Sequence, residues 1–88
     1  MQTEKECFIC GTTYDLHEHH CIYGSANRKQ SERFGLKIWL CREHHTGNCG
    51  VHFNKALDTH VKKLAQEKFE AVYGANTSFI EVFGRNYL

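Results

Sequence analysis

Two segments, Leu16-His17-Glu18-His19-His20 and Cys41-Arg42-Glu43-His44-His45, each end in a His-His pair beside cysteines at metal-ligand spacing. Imidazole ligates zinc and other transition metals, and near neutral pH it can also accept a proton. Neighbouring residues point to opposite sides of a strand, and on a helix they lie about 100° apart. A His-His pair therefore suits two adjoining sites, or one metal and one proton transfer. Two metal centres are expected, one structural and one catalytic.

The first cysteines stand in Cys7-Phe8-Ile9-Cys10-Gly11. Two thiolates two residues apart can chelate one ion, and the glycine lets the backbone fold around them. The complementary half is Cys41-x-x-His44, about 30 residues further on. Together they spell a tetrahedral Cys3His zinc site. A lone C-x-x-C can instead be a redox pair, but no βαβ pattern surrounds this one. A chain of 88 residues makes one small domain, 1–88, of a size at which cores are thin and a metal staple is often needed. Five cysteines are an odd number, and beside seven histidines they read as cytoplasmic ligands and spare thiols, not a disulfide framework. Cys21 has no partner at ligand spacing and reads as a small buried thiol. Cys49, flanked by Gly47 and Gly50, can compete as a ligand.

The formal net charge of +1 argues against a generally basic nucleic-acid coat. No run approaches the roughly 20 apolar residues of a membrane span, and Met1-Gln2-Thr3-Glu4-Lys5-Glu6 is not a signal peptide. Basic residues do concentrate locally. Gly24 to Gly35 reads as a long connection holding Arg28, Lys29 and Arg33 against Glu32, with Lys37 and Arg42 beyond it. It is either a solvated loop or a phosphate-contacting loop next to the metal site, where local charge matters more than net charge.

An α+β domain is expected. Tyr14 to Ile22 reads as a short strand with Leu16 as its core contact; His17 alone reads as a solvated or core-facing imidazole. Leu36-Lys37-Ile38-Trp39-Leu40 alternates as a second strand, which should pair with the first and deliver Cys41 to the knuckle. From Val51 the residues Phe53, Leu57, Val61, Leu64, Phe69 and Val72 recur at helical spacing up to a stop at Gly74. His52 would fall in that helix's first turn and point back at His45, whereas His60 reads as a surface residue. Ser78-Phe79-Ile80-Glu81 matches a capping box, predicting a second short helix to about Phe83. Tyr87 and Leu88 are expected to pack back.

Cys7-x-x-Cys10, the strand ending in His19-His20, and Leu40-Cys41-x-x-His44-His45 before a helix resemble the HNH endonucleases, and more narrowly the small HNH proteins of bacteriophages and prophages. The resemblance covers about Cys7 to Leu57 as a nuclease core, with 58–88 as a helical extension. Phe69-Glu70 and Phe83-Gly84-Arg85-Asn86-Tyr87-Leu88 are similar to the phage group in particular. The resemblance implies a zinc-stabilised ββα-metal fold and hydrolysis of DNA phosphodiester bonds. It implies His20 as the general base, and His19 and His45 as ligands of a catalytic divalent ion. A further ligand is implied one turn later; that position is Cys49, and allowing for an insertion His52 is preferred. The family's middle asparagine falls near Leu36 by spacing, a departure from the pattern, and Asn27 is the candidate for its base-orienting role. Magnesium, manganese, nickel or zinc would suit a site of two or three histidines. Arg28, Lys29 and Arg33 are the candidate DNA contacts.

Two other classes are open to such a chain. One is a zinc-stabilised module that holds nucleic acid without cutting it; the other is a partner-binding zinc domain that uses its long helix as a surface.

Overall fold

The alternation of Leu36, Ile38 and Leu40 calls for a strand with one buried face, and all three side chains are buried. A computed structural model describes residues 1–47 and 50–88; Cys49, the competing ligand, lies outside the described residues. The chain is α+β, with β1 Leu16–His20, α1 Ser25–Phe34, β2 Lys37–Cys41, α2 Arg42–His45, α3 Lys55–Tyr73 and α4 Phe79–Phe83. β1 and β2 pair antiparallel, with His17 opposite Leu40 and His19 opposite Ile38. Opposed residues share a face of the sheet, so His17 and His19 stand on the side that carries the buried leucine and isoleucine. β1 is shorter than Tyr14 to Ile22: Asp15 enters it at a φ of 50° and Tyr14 stays 78 % exposed. Leu16 is only partly buried, at the edge of the core.

The stretch expected as a connection, Gly24 to Gly35, is instead mostly the helix α1. Its sequence has no apolar stripe to give the helical period away, because what seats it is polar. The Ser31 hydroxyl donates to the Ile22 carbonyl at 2.6 Å and accepts from the Ile22 N–H at 3.3 Å. At the C-terminus Gly35 adopts a left-handed φ of 69°, where a side chain would be strained, and its N–H reaches the Ser31 and Glu32 carbonyls. Arg28, Lys29 and Arg33 thus project from a helix, and Phe34 packs edge-on against Phe69 at 5.0 Å.

α3 also departs from expectation, starting at Lys55 and not at Val51. Asn54 caps it, its side chain accepting from the Leu57 N–H at 3.1 Å. The preceding turn is pinned by buried Val51, whose N–H donates to the His44 carbonyl. His52 therefore lies in that turn, ahead of the helix. Phe53 is 71 % exposed and Val72 55 % exposed, so neither joins the core; the buried stripe is Val61, Ala65 and Phe69, with Leu57 partly buried at its start. Phe69 meets Phe79 at 5.5 Å and Phe83 at 6.0 Å, which docks α4. Burying one such ring contributes about 1.5–3 kcal/mol.

α4 begins after Ser78, whose hydroxyl accepts from the Glu81 N–H, as the capping box requires. Tyr87 packs against the core while Leu88 stays 53 % exposed. The tail is held by buried Gln66, whose side chain accepts from the Tyr87 N–H and donates to the side-chain Oδ1 of Asn86, each at 2.7 Å. Among the described residues no helix is long and apolar enough to cross a membrane.

Candidate metal centres and the adjoining cleft

Cys7, Cys10, Cys41 and His44 come together, each offering one ligand atom and all of these within 4.8 Å of one another. β2 ends in Cys41, and the single turn of α2 lifts His44 over it. Cys7 is fixed from the other side, its N–H donating to the Thr12 carbonyl while the Phe8 N–H donates to the Trp39 carbonyl. Tetrahedral bonds of zinc's length place two sulfurs about 3.8 Å apart and a sulfur and a nitrogen about 3.5 Å apart. Cys10 Sγ lies 3.8 Å from Cys41 Sγ; His44 Nδ1 lies 3.6 Å from Cys7 Sγ and 3.2 Å from Cys41 Sγ. The group can hold a structural metal.

Its electrostatics suit a cation. Burial pushes the Cys7 thiol up, but backbone N–H groups of Cys41, Cys10 and Ile9 outweigh it and bring the pKa down to about 6. Burial and the neighbouring Cys7 and Cys10 push Cys41 up, against the His44 N–H. Clustered thiols resist joint ionisation unless a metal neutralises them.

A second group joins His19 from β1, His45 from α2 and His52 from the turn before α3. Their rings meet nearly edge to face, with centroids 5.3 Å (His19–His45), 5.6 Å (His19–His52) and 4.8 Å (His45–His52) apart. His45 Nε2 and His52 Nε2 are 3.3 Å apart, close to the roughly 3.3 Å edge of a tetrahedron with Zn–N bonds. His19 is only 3 % exposed, yet its Nε2 has no hydrogen-bond partner among the described residues. An unpartnered buried nitrogen costs about 1–3 kcal/mol, which an ion bound there would offset. Burial, then the charges of His45 and His52, bring the His19 pKa down to about 4. His45 is lowered by burial and by His52 and His17. Both rings are therefore neutral near pH 7, the state in which imidazole ligates. The residues fit a divalent cation.

This group opens on a cleft of about 360 Å³ that is also lined by Glu18, His20, Tyr23, Gly24 and Arg28. His20 Nε2 lies 2.9 Å from Glu32 Oε2 on α1. Lys37 Nζ joins that carboxylate at 3.1 Å and reaches Glu18 at 3.4 Å. The bonds from His20 and Lys37 hold the Glu32 carboxyl below the usual range. Asn27, expected to orient His20, is half-buried in the first turn of α1; the side chain that bonds His20 is Glu32. Nothing in the spacing singled out Glu32, because only the helical form of Gly24–Gly35 brings it to β1.

One wall of the cleft is Tyr23, whose ring lies 5.9 Å from that of His19 and 5.8 Å from that of His52. Its hydroxyl donates to Asp58 on α3 at 3.0 Å, and Lys62 pairs with the same carboxylate at 2.9 Å. Burial and then Asp58 raise the Tyr23 pKa, so the hydroxyl keeps its proton. Sequence reasoning missed this trio; its outer members, Tyr23 and Lys62, stand 39 positions apart, and the three share no motif. Of the candidate DNA contacts, Arg28 lines the cleft, while Lys29 and Arg33 are exposed elsewhere on α1.

Compared with protein-family models, with curated proteins and with solved structures, the chain has no significant match in any of the three.

Proposed function

We propose that this chain is a metal-dependent HNH endonuclease that hydrolyses DNA phosphodiester bonds. On this reading β1, β2 and the helical segment after them are a ββα-metal unit braced by zinc in the Cys7, Cys10, Cys41 and His44 group. His19, His45 and His52 hold the catalytic divalent ion: magnesium, manganese, nickel or zinc. One observation carries the reading: three imidazoles converge, one with a buried unpartnered nitrogen, beside a carboxylate-bound His20 in an open cleft that Arg28 also lines.

The residues divide the work as follows. Glu32 accepts the Nε2 proton of His20, which fixes the ring and leaves the Nδ1 lone pair free. His20 Nδ1 takes a proton from water as the water oxygen bonds to phosphorus, and the bond from phosphorus to the 3′ oxygen breaks. A divalent ion, when bound, neutralises charge developing on the phosphate and stabilises the leaving oxygen. Arg28 attracts the phosphate backbone, assisted by the N-terminus of α1, where Gly24 caps without a side-chain bond. Tyr23, anchored through Asp58, keeps the His19 and His52 rings in place.

The test is digestion of supercoiled plasmid with each of the four ions, beside a chelator control. Nicked or linear product that requires the metal is expected. DNA binding without cleavage under every ion would make the chain a binding module. Absence of salt-dependent DNA binding would leave the partner-domain reading.

A further inference from the structure

His45 presents both ring nitrogens to other imidazoles. Its Nε2 lies 3.3 Å from His52 Nε2, inside the three-histidine group, and its Nδ1 lies 3.0 Å from His17 Nδ1. The His17 and His45 rings are nearly perpendicular, at 83°, with centroids 5.1 Å apart. The geometry points to His17 as the positioning residue that selects the ligating tautomer of His45. This rests on reading His19, His45 and His52 as a metal centre.

A neutral imidazole has one N–H and one lone pair. If the Nε2 lone pair of His45 faces the ion, its proton is on Nδ1. At 3.0 Å that proton meets the Nδ1 lone pair of His17, whose own proton is then on Nε2. In the reverse arrangement His17 Nδ1 donates to His45 Nδ1, and the His45 proton moves to Nε2, where it blocks ligation. A bound ion and the His17 acceptor favour the same tautomer, so each strengthens the other.

His17 is held in place to do this. It stands two residues before His19 on the same side of β1, and pairing opposite Leu40 fixes the backbone beneath it. The strand that supplies one ligand thus supports another. His17 is not a fourth ligand: it meets His45 at the nitrogen not used toward His52, and it is absent from the group whose ligand atoms lie within 4.8 Å. A merely core-filling imidazole has no need of a nitrogen-to-nitrogen contact.

The test uses the full chain with its cysteine centre filled, titrated with a second equivalent of Zn2+ alone. His17→Ala should weaken that second binding about 10- to 100-fold, the usual effect of removing a hydrogen-bond partner from a metal-bound histidine. His17→Gln keeps an acceptor oxygen and should recover most of the loss, while the first zinc is held unchanged in both variants. In the zinc-saturated wild type, nitrogen NMR of the rings should place the His45 proton on Nδ1 and the His17 proton on Nε2. Wild-type affinity in His17→Ala, a glutamine variant no better than alanine, or a His45 proton on Nε2 would each overturn the inference. A wild-type chain that takes only one zinc overturns the second centre itself and the inference with it. A second zinc bound, with no DNA cleavage under any of the four ions, removes the nuclease reading and leaves the role of His17 standing.

Discussion

His44 and His45 are neighbours that serve different groups: His44 Nδ1 lies 3.2 Å from Cys41 Sγ, and His45 Nε2 lies 3.3 Å from His52 Nε2. The four-residue helix α2 does this by rotating successive side chains about 100° apart, closed at its end by the Thr46 N–H on the Arg42 carbonyl. The two groups share one short piece of backbone. Order in the cysteine group is therefore a condition for order in the imidazole group.

The cysteine group should hold about one zinc per chain as purified, and Cys10→Ser should lose both that metal and most of the folded structure. Metal analysis with circular dichroism checks this. A folded, metal-free Cys10→Ser protein would remove the structural assignment.

On the proposed nuclease reading, with His20 as the base, the His19-His20 pair should separate by kinetics. His20→Ala should lower cleavage about 10²- to 10⁴-fold at every metal concentration, since a general base acts in the transition state. His19→Ala, His45→Ala and His52→Ala should instead shift activity to higher metal concentration. Glu32→Gln should slow cleavage less than His20→Ala, because the base remains but loses its orienting carboxylate. Rates against metal concentration for the five variants decide the roles; metal rescue of His20→Ala alone would exchange those of His19 and His20.

The basic face of α1 should act on binding and hardly on folding. Replacing Arg28, Lys29 and Arg33 with alanine should reduce DNA affinity and flatten its salt dependence by up to about one unit per lost phosphate contact. The melting temperature should barely move, since exposed charges matter little to folding. Arg28→Ala alone should weaken cleavage most, because Arg28 lines the cleft. Unchanged low-salt affinity in the triple variant would return these residues to the solvated surface.

Two phenylalanines of α3 and its approach should differ sharply. Phe69 is fully buried among Phe34, Phe79 and Phe83, so Phe69→Ala should cost about 3–5 kcal/mol. Phe53 is 71 % exposed, and Phe53→Ala should stay within about 0.5 kcal/mol of wild type. Denaturant unfolding of the two zinc-loaded variants measures both.

Cys21 should resist alkylation in the native protein. It is fully buried, and burial pushes its pKa up to about 12, so at pH 8 it remains an inaccessible, un-ionised thiol. Mass spectrometry after iodoacetamide treatment should find it unmodified until the chain is unfolded. Rapid labelling of Cys21 in the folded state would contradict this placement.

Much of the plan is local and therefore readable in the chain itself. Metal-ligand spacing in Cys7-x-x-Cys10 and Cys41-x-x-His44 is a property of short segments, and so are the two-residue period of Leu36, Ile38 and Leu40 and the cap at Ser78. The tertiary structure decided what depends on distant partners. α1 carries no apolar period, and its helix is seated by Ser31 on Ile22. Helical backbone then brings Glu32 to His20, a pairing twelve positions apart that no motif encodes. His52 reaches His45 from a turn, because Asn54 caps α3 later than hydrophobic spacing alone suggests. His17, read by itself as a solvated or core-facing ring, acquires chemical meaning only when α2 folds back over β1 and sets His45 at 3.0 Å. Propensity and spacing act within a few residues, whereas the donor and acceptor that an imidazole meets are set by whichever elements the core packs against it.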